Sequence, residues 1–317
     1  MDVSVVICTH DGARWSQVRA ALLSLERQRH PPAETIVVVD HNRSLFERAR
    51  NELQGAIVVE NCEQRGLGGA RNSGIDASSR SIVAFLDDDA VASPQWLEVL
   101  VEQYGDPAVA GVGGSVVPVW EGPRPAWFPL EFAWVVGCTY RGMPESAQPV
   151  RNLFGCNMSF RRDVVDALGR FRLGYGCDET ELCIRLRQRW PSRKLVYVPA
   201  AIVLHRVPAD RVRLRYFLSR CYFEGGSKAV VSALVGVGAG LSSERHYTRT
   251  TLPAAMRHGV GDYVWRGDPA GLARAATIFA GLATTTLGYA AGRLSTTRAA
   301  RQRGWRGEIL PAASAGG

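Results

Sequence analysis

Over its first hundred residues the chain alternates short, continuous apolar runs with longer amphipathic ones. VSVVIC at 3–8, TIVVVD at 35–40, AIVVEN at 56–61 and SIVAFLDDD at 81–89 have the apolar centres of strands covered on both faces. Between them, residues 15–29 place Val18, Leu22 and Leu25 on one helical stripe, and LFERARNEL at 45–53 reads as a second helix. RGLGGARNSGIDAS at 65–78 reads as a glycine-rich turn entering a helix. SPQWLEVLVEQY at 93–104 predicts a helix with Ser93 as N-cap and Pro94 in its first position. Four βα units at this spacing predict an α/β fold, a doubly wound and mostly parallel sheet flanked by helices.

In open α/β sheets the crevice beyond the strand C-termini is where ligands bind. Polar or flexible residues collect at those ends: Thr9 to Gly12, Asp40 to Asn42, Arg65, and Asp87 to Asp89. Further on, AGVGGSVVPVW at 110–120 reads as a strand, followed by a loop rich in Pro and Trp at 121–134. NLFGCNMSFRRDVVDALGRF at 152–171 reads as strand then helix. KLVYVPAAIVLHR at 194–206 predicts a strand pair interrupted by Pro199. Beyond about residue 208 the pattern is helical and basic.

Charge is unevenly spread. Residues 1–181 carry a net −7 and residues 182–317 a net +15. A basic tail behind an acidic front is not the footprint of a nucleic-acid binder, and no nucleic-acid partner is expected. Anionic lipid headgroups or a phosphate-bearing substrate fit equally well. The excess of Arg over Lys, 36 to 2, also points to a bacterial proteome of high GC content. With 46% hydrophobic residues a sizeable core is available, and a mean hydropathy of −0.07 excludes a polytopic membrane protein. The opening MDVSVVICTHDG predicts no signal peptide. Seven scattered cysteines without a C-x-x-C pair argue against a disulfide framework or zinc site and for a reducing cytoplasm.

Four residue groups could carry chemistry. Asp87, Asp88 and Asp89 follow a buried strand, where adjacent carboxylates repel one another unless a cation compensates them. That suits Mg²⁺ or Mn²⁺ completed by substrate phosphates, against the alternative of a solvated turn. Arg65 and Arg71 in RGLGGARNSG suit a diphosphate or a base carbonyl, though the run matches neither the P-loop nor the dinucleotide fingerprint. Asp178, Glu179 and Glu181 precede a helix, where they serve either as caps or as a general base. His205 closes an apolar strand and is either structural or a metal ligand.

Strand-CTHDGA, VVVDHN, QRGLGGARNSGI, FLDDDAV, GCNMSFRRD and GCDETELCIRLR together resemble family 2 glycosyltransferases of the GT-A fold, across roughly residues 2–225. The resemblance implies an inverting transfer from a nucleoside-diphosphate sugar to a hydroxyl-bearing acceptor, whether saccharide, lipid-linked or small molecule. It implies a nucleoside-binding set of Thr9, Asp40 and Arg71 assisted by Arg65. Asp87 would face the ribose or sugar, with Asp88 beside it on the nucleotide side. Asp89 would bind the divalent metal, with His205 completing its shell. Gly155, Cys156 and Asn157 would face donor sugar and acceptor. Glu179 takes the base role by position, with Asp178 as its rival because the usual order of the two acids is reversed. His41 and Asn42 depart from the family pattern, so uridine selectivity is not implied.

These readings divide the chain into a catalytic domain at 1–225, with a nucleotide-binding part to 110 and an acceptor-side part after it. A helical extension follows at 226–317, ending in a frayed tail. The uncharged stretch 275–292 reads as a helix packed on the catalytic domain or lying on a membrane surface, with a buried hairpin or a dimer contact as the alternative. A cytoplasmic enzyme is expected, peripheral at the inner face of the plasma membrane if its acceptor is lipid-linked. Competing readings are a sugar-nucleotide nucleotidyltransferase, a glycoside hydrolase and a non-catalytic nucleotide-sugar binder.

Overall fold

A computed structural model describes residues 1–173, 177–240 and 242–302; the tail expected to fray lies outside the described residues. Strands β1 (Val3–Thr9), β2 (Glu34–Val39), β3 (Ile57–Glu60) and β4 (Ile82–Asp87) run parallel in the spatial order β3-β2-β1-β4. Helices α1 (Trp15–Glu26), α2 (Arg43–Glu52) and α3 (Leu67–Ala77) connect them. Because successive strand residues point to opposite faces, Val3, Val5 and Ile7 join one core while Val6 joins the other. Helix α1 covers the first face. Ala70 and Ile75 of α3 cover the second.

The second half turns the sheet mixed. It supplies β5 (Ala90–Ala92), α4 (Trp96–Glu102), β6 (Val109–Trp120), β7 (Gln148–Pro149), β8 (Asn157–Arg161), α5 (Arg162–Leu168), α6 (Asp178–Arg189) and β9 (Lys194–Val207). Strand β8 lies antiparallel between β4 and β6, β9 runs parallel to β6, and β5 pairs antiparallel with β9 at the edge. Three predicted details change. The fourth strand ends at Asp87, because carboxylates cannot continue a strand buried on both faces. Residues 194–207 form one strand, and the step from Gly114↔Val198 to Val116↔Val203 takes up Pro199 in a bulge, where no ladder bond is lost. Ser93 does not cap its helix by side chain: α4 starts at Trp96, whose N–H donates to the Ser93 carbonyl at 3.0 Å.

The helical part comprises α7 (Leu214–Val235), α8 (Val237–Gly240), α9 (Ser242–His246), a π-helical turn (Tyr247–Thr251), α10 (Leu252–Arg266) and α11 (Pro269–Gln302). The boundary expected at 225/226 falls inside α7. Phe132 from the loop after β6, Phe217 of α7 and Ile278 of α11 share one core, so sheet and helices are joined by continuous packing. Helices α7 and α11 meet backbone to backbone: a Cβ on Gly288 would lie 2.0 Å from the Tyr222 carbonyl oxygen. Among the described residues no helix is long and apolar enough to cross a membrane.

Candidate active site

The acidic turn after β4 divides its three carboxylates by the alternation of the chain. Asp88 points inward, where its oxygens accept from the Thr9 hydroxyl at 2.8 Å and from Arg14 Nη1 at 2.9 Å. Asp87 and Asp89 point into the crevice. The β5–β9 register sets Ala90 opposite His205, which brings the imidazole Nε2 to 3.2 Å from Asp89. One ligand atom each from Asp87, Asp89 and His205 lie within 4.8 Å of one another.

The electrostatics of this trio suit a cation. At Asp87, burial and the neighbouring charge of Asp89 outweigh the attraction of Arg71, and the carboxyl is pushed above its ordinary range. At Asp89, burial acts in the same sense, but the bond from His205 and the charge of Arg14 hold it below that range. Two carboxylate oxygens and an imidazole nitrogen are a donor set that Mn²⁺ or Mg²⁺ accepts, and a divalent ion would relieve the repulsion felt at Asp87.

Arg71 on α3 forms the floor. Its side chain is 2% exposed and stacks on Phe171 at 5.4 Å. Nη1 lies 3.3 Å from both Asp178 oxygens and 3.9 Å from Glu179, while Nη2 donates to the Gly155 carbonyl at 3.0 Å and lies 3.9 Å from Asp87. One guanidinium therefore ties the acidic turn, the 155 loop and the start of α6 together. Glu179 is 23% exposed, and burial first, then repulsion by Asp178, raises its carboxyl despite Arg71. Glu181 is fully enclosed between Arg185 at 2.8 Å and Arg172 at 3.1 Å, a structural role.

Several expected site residues have other occupations. Asp40 accepts from Asn61 Nδ2 at 2.6 Å and the Gly66 N–H at 2.9 Å, and His41 Nδ1 lies 2.8 Å away. It joins the ends of β2, β3 and the glycine turn. Burial works against its charge, yet those three bonds hold it below the usual carboxylate range. The departures at 41 and 42 gain a reason: His41 lies in a left-handed conformation at φ 51 beside Asp40, and Asn42 caps α2 by accepting from the Leu45 N–H. Thr9 and Asp88 are bonded to each other rather than turned to the crevice. Arg65 is exposed on the turn before α3.

The expectation that Asn157 faces a sugar is corrected. It is 0% exposed, donates to the Ser115 and Ala201 carbonyls at 2.8 and 2.9 Å, and accepts from the Trp96 indole at 2.8 Å. Its amide fastens β6, β9 and α4. Cys156 is likewise buried, with its Sγ 3.8 Å from the Gly137 carbonyl. Gly155 contributes its carbonyl to Arg71, and a Cβ there would stand 2.7 Å from Nη2. The sequence reading missed Arg14, whose signal was the need of three adjacent carboxylates for a nearby cation.

The sequence model for "Glycosyl transferase family 2" matches residues 4–169, from β1 to the end of α5. Over 246 residues the chain is 35% identical to a glucosyl-dolichyl phosphate glucuronosyltransferase of Haloferax volcanii, covering 74% of this chain and 78% of that one. It is 27% identical over 237 residues to the succinoglycan biosynthesis protein ExoM of Rhizobium meliloti, covering 71% and 73%. In fold it is similar to the mannosyltransferase PcManGT from Pyrobaculum calidifontis, solved with GDP-Man and Mn²⁺. That TM-score is 0.55 at 20% identity, over 90% of this chain and 86% of that one. The fold is that of the GT-A glycosyltransferases. The chain belongs to glycosyltransferase family 2.

Proposed function

We propose that the chain transfers a glycosyl group from a nucleoside-diphosphate sugar to an acceptor hydroxyl, with inversion at the anomeric carbon. The observation that carries this reading is the meeting of Asp87, Asp89 and His205 beside the Arg71–Asp178–Glu179 group in one crevice. The complex of PcManGT with GDP-Man and Mn²⁺ supports the same donor class and metal.

Asp87, Asp89 and His205 would hold the divalent ion, which supplies positive charge against the leaving diphosphate. The chain's own residues do the rest. Arg14 keeps Asp88 neutralised and out of the crevice. Arg71 fixes Asp178, leaving Glu179 as the acid with the looser arginine contact and the raised proton affinity. Glu179 takes the proton from the acceptor hydroxyl as the oxygen attacks the anomeric carbon from the face opposite the diphosphate. The bond to the leaving phosphate oxygen breaks in the same displacement, so no covalent enzyme intermediate forms.

The acceptor is read as a lipid-linked saccharide, supported by the name of the Haloferax relative, whose acceptor is a glucosyl-dolichyl phosphate. The first test is calorimetric titration with UDP, GDP and dTDP, each with and without Mn²⁺, on the parent chain and Asp89→Ala. Metal-dependent binding of one diphosphate, lost in the variant, is expected. Absence of binding to all three would remove the donor assignment.

A further inference from the structure

Four largely buried charges that the transfer chemistry does not use run in a chain toward the crevice. Arg151, between β7 and β8, donates to both carboxylate oxygens of Glu244 on α9, at 2.6 and 2.8 Å. Lys228 of α7 lies 2.6 Å from Glu244 and 3.0 Å from Glu224, one turn earlier on the same helix. Arg151 is 7% exposed and the other three between 17% and 21%. The signs alternate along the chain, so each charge has an opposite one beside it. Its last member reaches the site: Glu224 Oε2 accepts from the Cys177 thiol at 3.4 Å. Burial first, then the charges of Glu224 and Glu179, push that thiol well up. Burial also works against the charge of Glu224, but Lys228 holds it below the usual carboxylate range. The donor is therefore an S–H and the acceptor a carboxylate.

Cys177 is the residue from which α6 starts. It lies in the left-handed conformation at φ 65, which glycine adopts freely and other side chains rarely do. Strain of this kind persists where the surroundings hold it, and here the thiol supplies what glycine would lack. The Cys177 carbonyl accepts from the Glu181 N–H at 3.1 Å, and Asp178 and Glu179 lie inside the turn so closed. Farther along α6, Ile184 packs on Val231 and Val235 of α7, with Cys177 against the same group, and Gln188 donates to the Val235 carbonyl at 2.7 Å. Helix α6 is thus seated on α7 along its length and tied to Glu224 at its start. Arg71 grips Asp178 at 3.3 Å, but its contact with Glu179 is 3.9 Å, so Glu179 takes its place from the turn as a whole.

We propose that Glu224 is a positioning residue for glycosyl transfer: through the Cys177 thiol it fixes the turn that opens α6 and holds the Glu179 carboxylate at the crevice. Lys228, Glu244 and Arg151 keep Glu224 ionised and in place. The inference rests on Glu179 being the base, as proposed above, and it makes α7 a support of the site rather than an appendage to it.

Cys177→Gly, Cys177→Ser and Glu224→Gln in the full chain test it. Glycine takes the positive φ freely but offers no donor, whereas serine keeps the strain and offers a hydroxyl. Both Cys177 variants leave the charge chain whole, so the test stands even if Glu224→Gln fails to fold. Hydrogen exchange of the Glu181 amide reads the turn. Release of GDP from GDP-mannose or of UDP from UDP-glucose with Mn²⁺, water standing in for the acceptor, reads the base. Exchange should quicken at least about tenfold in Cys177→Gly and Glu224→Gln, with kcat falling by a similar factor and the donor KM within about twofold of the parent. Cys177→Ser should recover most of both. A glycine variant that matches the parent, or surpasses the serine one, in protection or in kcat would overturn the proposal, because the residue would then serve the backbone alone. So would faster exchange with an unchanged kcat. Release unaffected by Glu179→Gln, or absent in the parent, would instead count against the proposed function, and the exchange order would then decide whether Glu224 holds the turn.

Discussion

Arg71 and Asp178 meet at 3.3 Å beneath the crevice although 107 residues separate them in sequence. The pair is buried, so removing one member leaves the other's charge without compensation in a poorly solvated place. Arg71→Leu should cost about 3–5 kcal/mol of stability, the range for breaking a buried ion pair from one side. Asp178→Asn should also destabilise. The double variant should lose clearly less than the sum of the two, which urea unfolding of all four proteins measures. Strict additivity would mean that the pair is not coupled in solution.

Gly155 stands where Arg71 needs space. A methyl group there would press on Nη2 at 2.7 Å, and the guanidinium could yield only by leaving Asp178 or Asp87. Gly155→Ala should therefore lower glycosyl transfer by on the order of tenfold or more, because small displacements of positioned groups are costly in rate. The fold should remain, as judged by an unchanged far-ultraviolet spectrum. Parent-like turnover would show that Arg71 is not held by this contact.

The parallel strands were legible because an apolar run buried on both faces has few alternatives. The acidic turn was legible for the complementary reason, that three carboxylates end such a run. The family resemblance sets His205 with Asp89 in one metal shell, but no local pattern shows that meeting, since it depends on the β5–β9 register across more than a hundred residues. Arg14 was hidden among 36 arginines, and nothing local marks the one that folds over Asp88. Asn157 shows the opposite failure. Its position in a motif suggested a sugar contact, whereas two carbonyls and the Trp96 indole use its amide, and those partners come from elements distant in the chain.

Glu179 links pH to both stability and turnover. Burial and the adjacent Asp178 raise its carboxyl, so the folded chain binds that proton more tightly than the unfolded chain. Its contribution is then fully present below the ordinary carboxylate pKa of about 4.3 and is lost as pH rises through the higher folded value. Glu179→Gln should be more stable than the parent at neutral and alkaline pH, with the difference shrinking on acidification. Transfer should fall by about 10²–10⁴-fold, the usual contribution of a general base. The acidic limb of the parent's kcat/KM profile should lie above the ordinary carboxylate range and be missing from the variant's residual rate. A variant that keeps both the rate and the limb would move the base role to Asp178.

Glu244 works in the opposite sense. Burial disfavours its charge, but Lys228 at 2.6 Å and Arg151 at 2.6 Å prevail and hold its pKa at about 2. A depressed carboxyl stabilises the fold above its unfolded value of about 4.3, and that stability is lost as pH falls toward the folded value. The cluster continues through Lys228 to Glu224, whose Oε2 accepts from the Cys177 thiol at 3.4 Å directly before α6. Glu244→Gln should thus destabilise the protein at neutral pH by on the order of 2 kcal/mol, less than the full shift because the side chain is partly solvated. The gap to the parent should close as the pH is lowered through the carboxylate range. Unfolding midpoints of both proteins across that range measure it, and a gap that stays constant down to acid pH would assign the loss to packing rather than to charge.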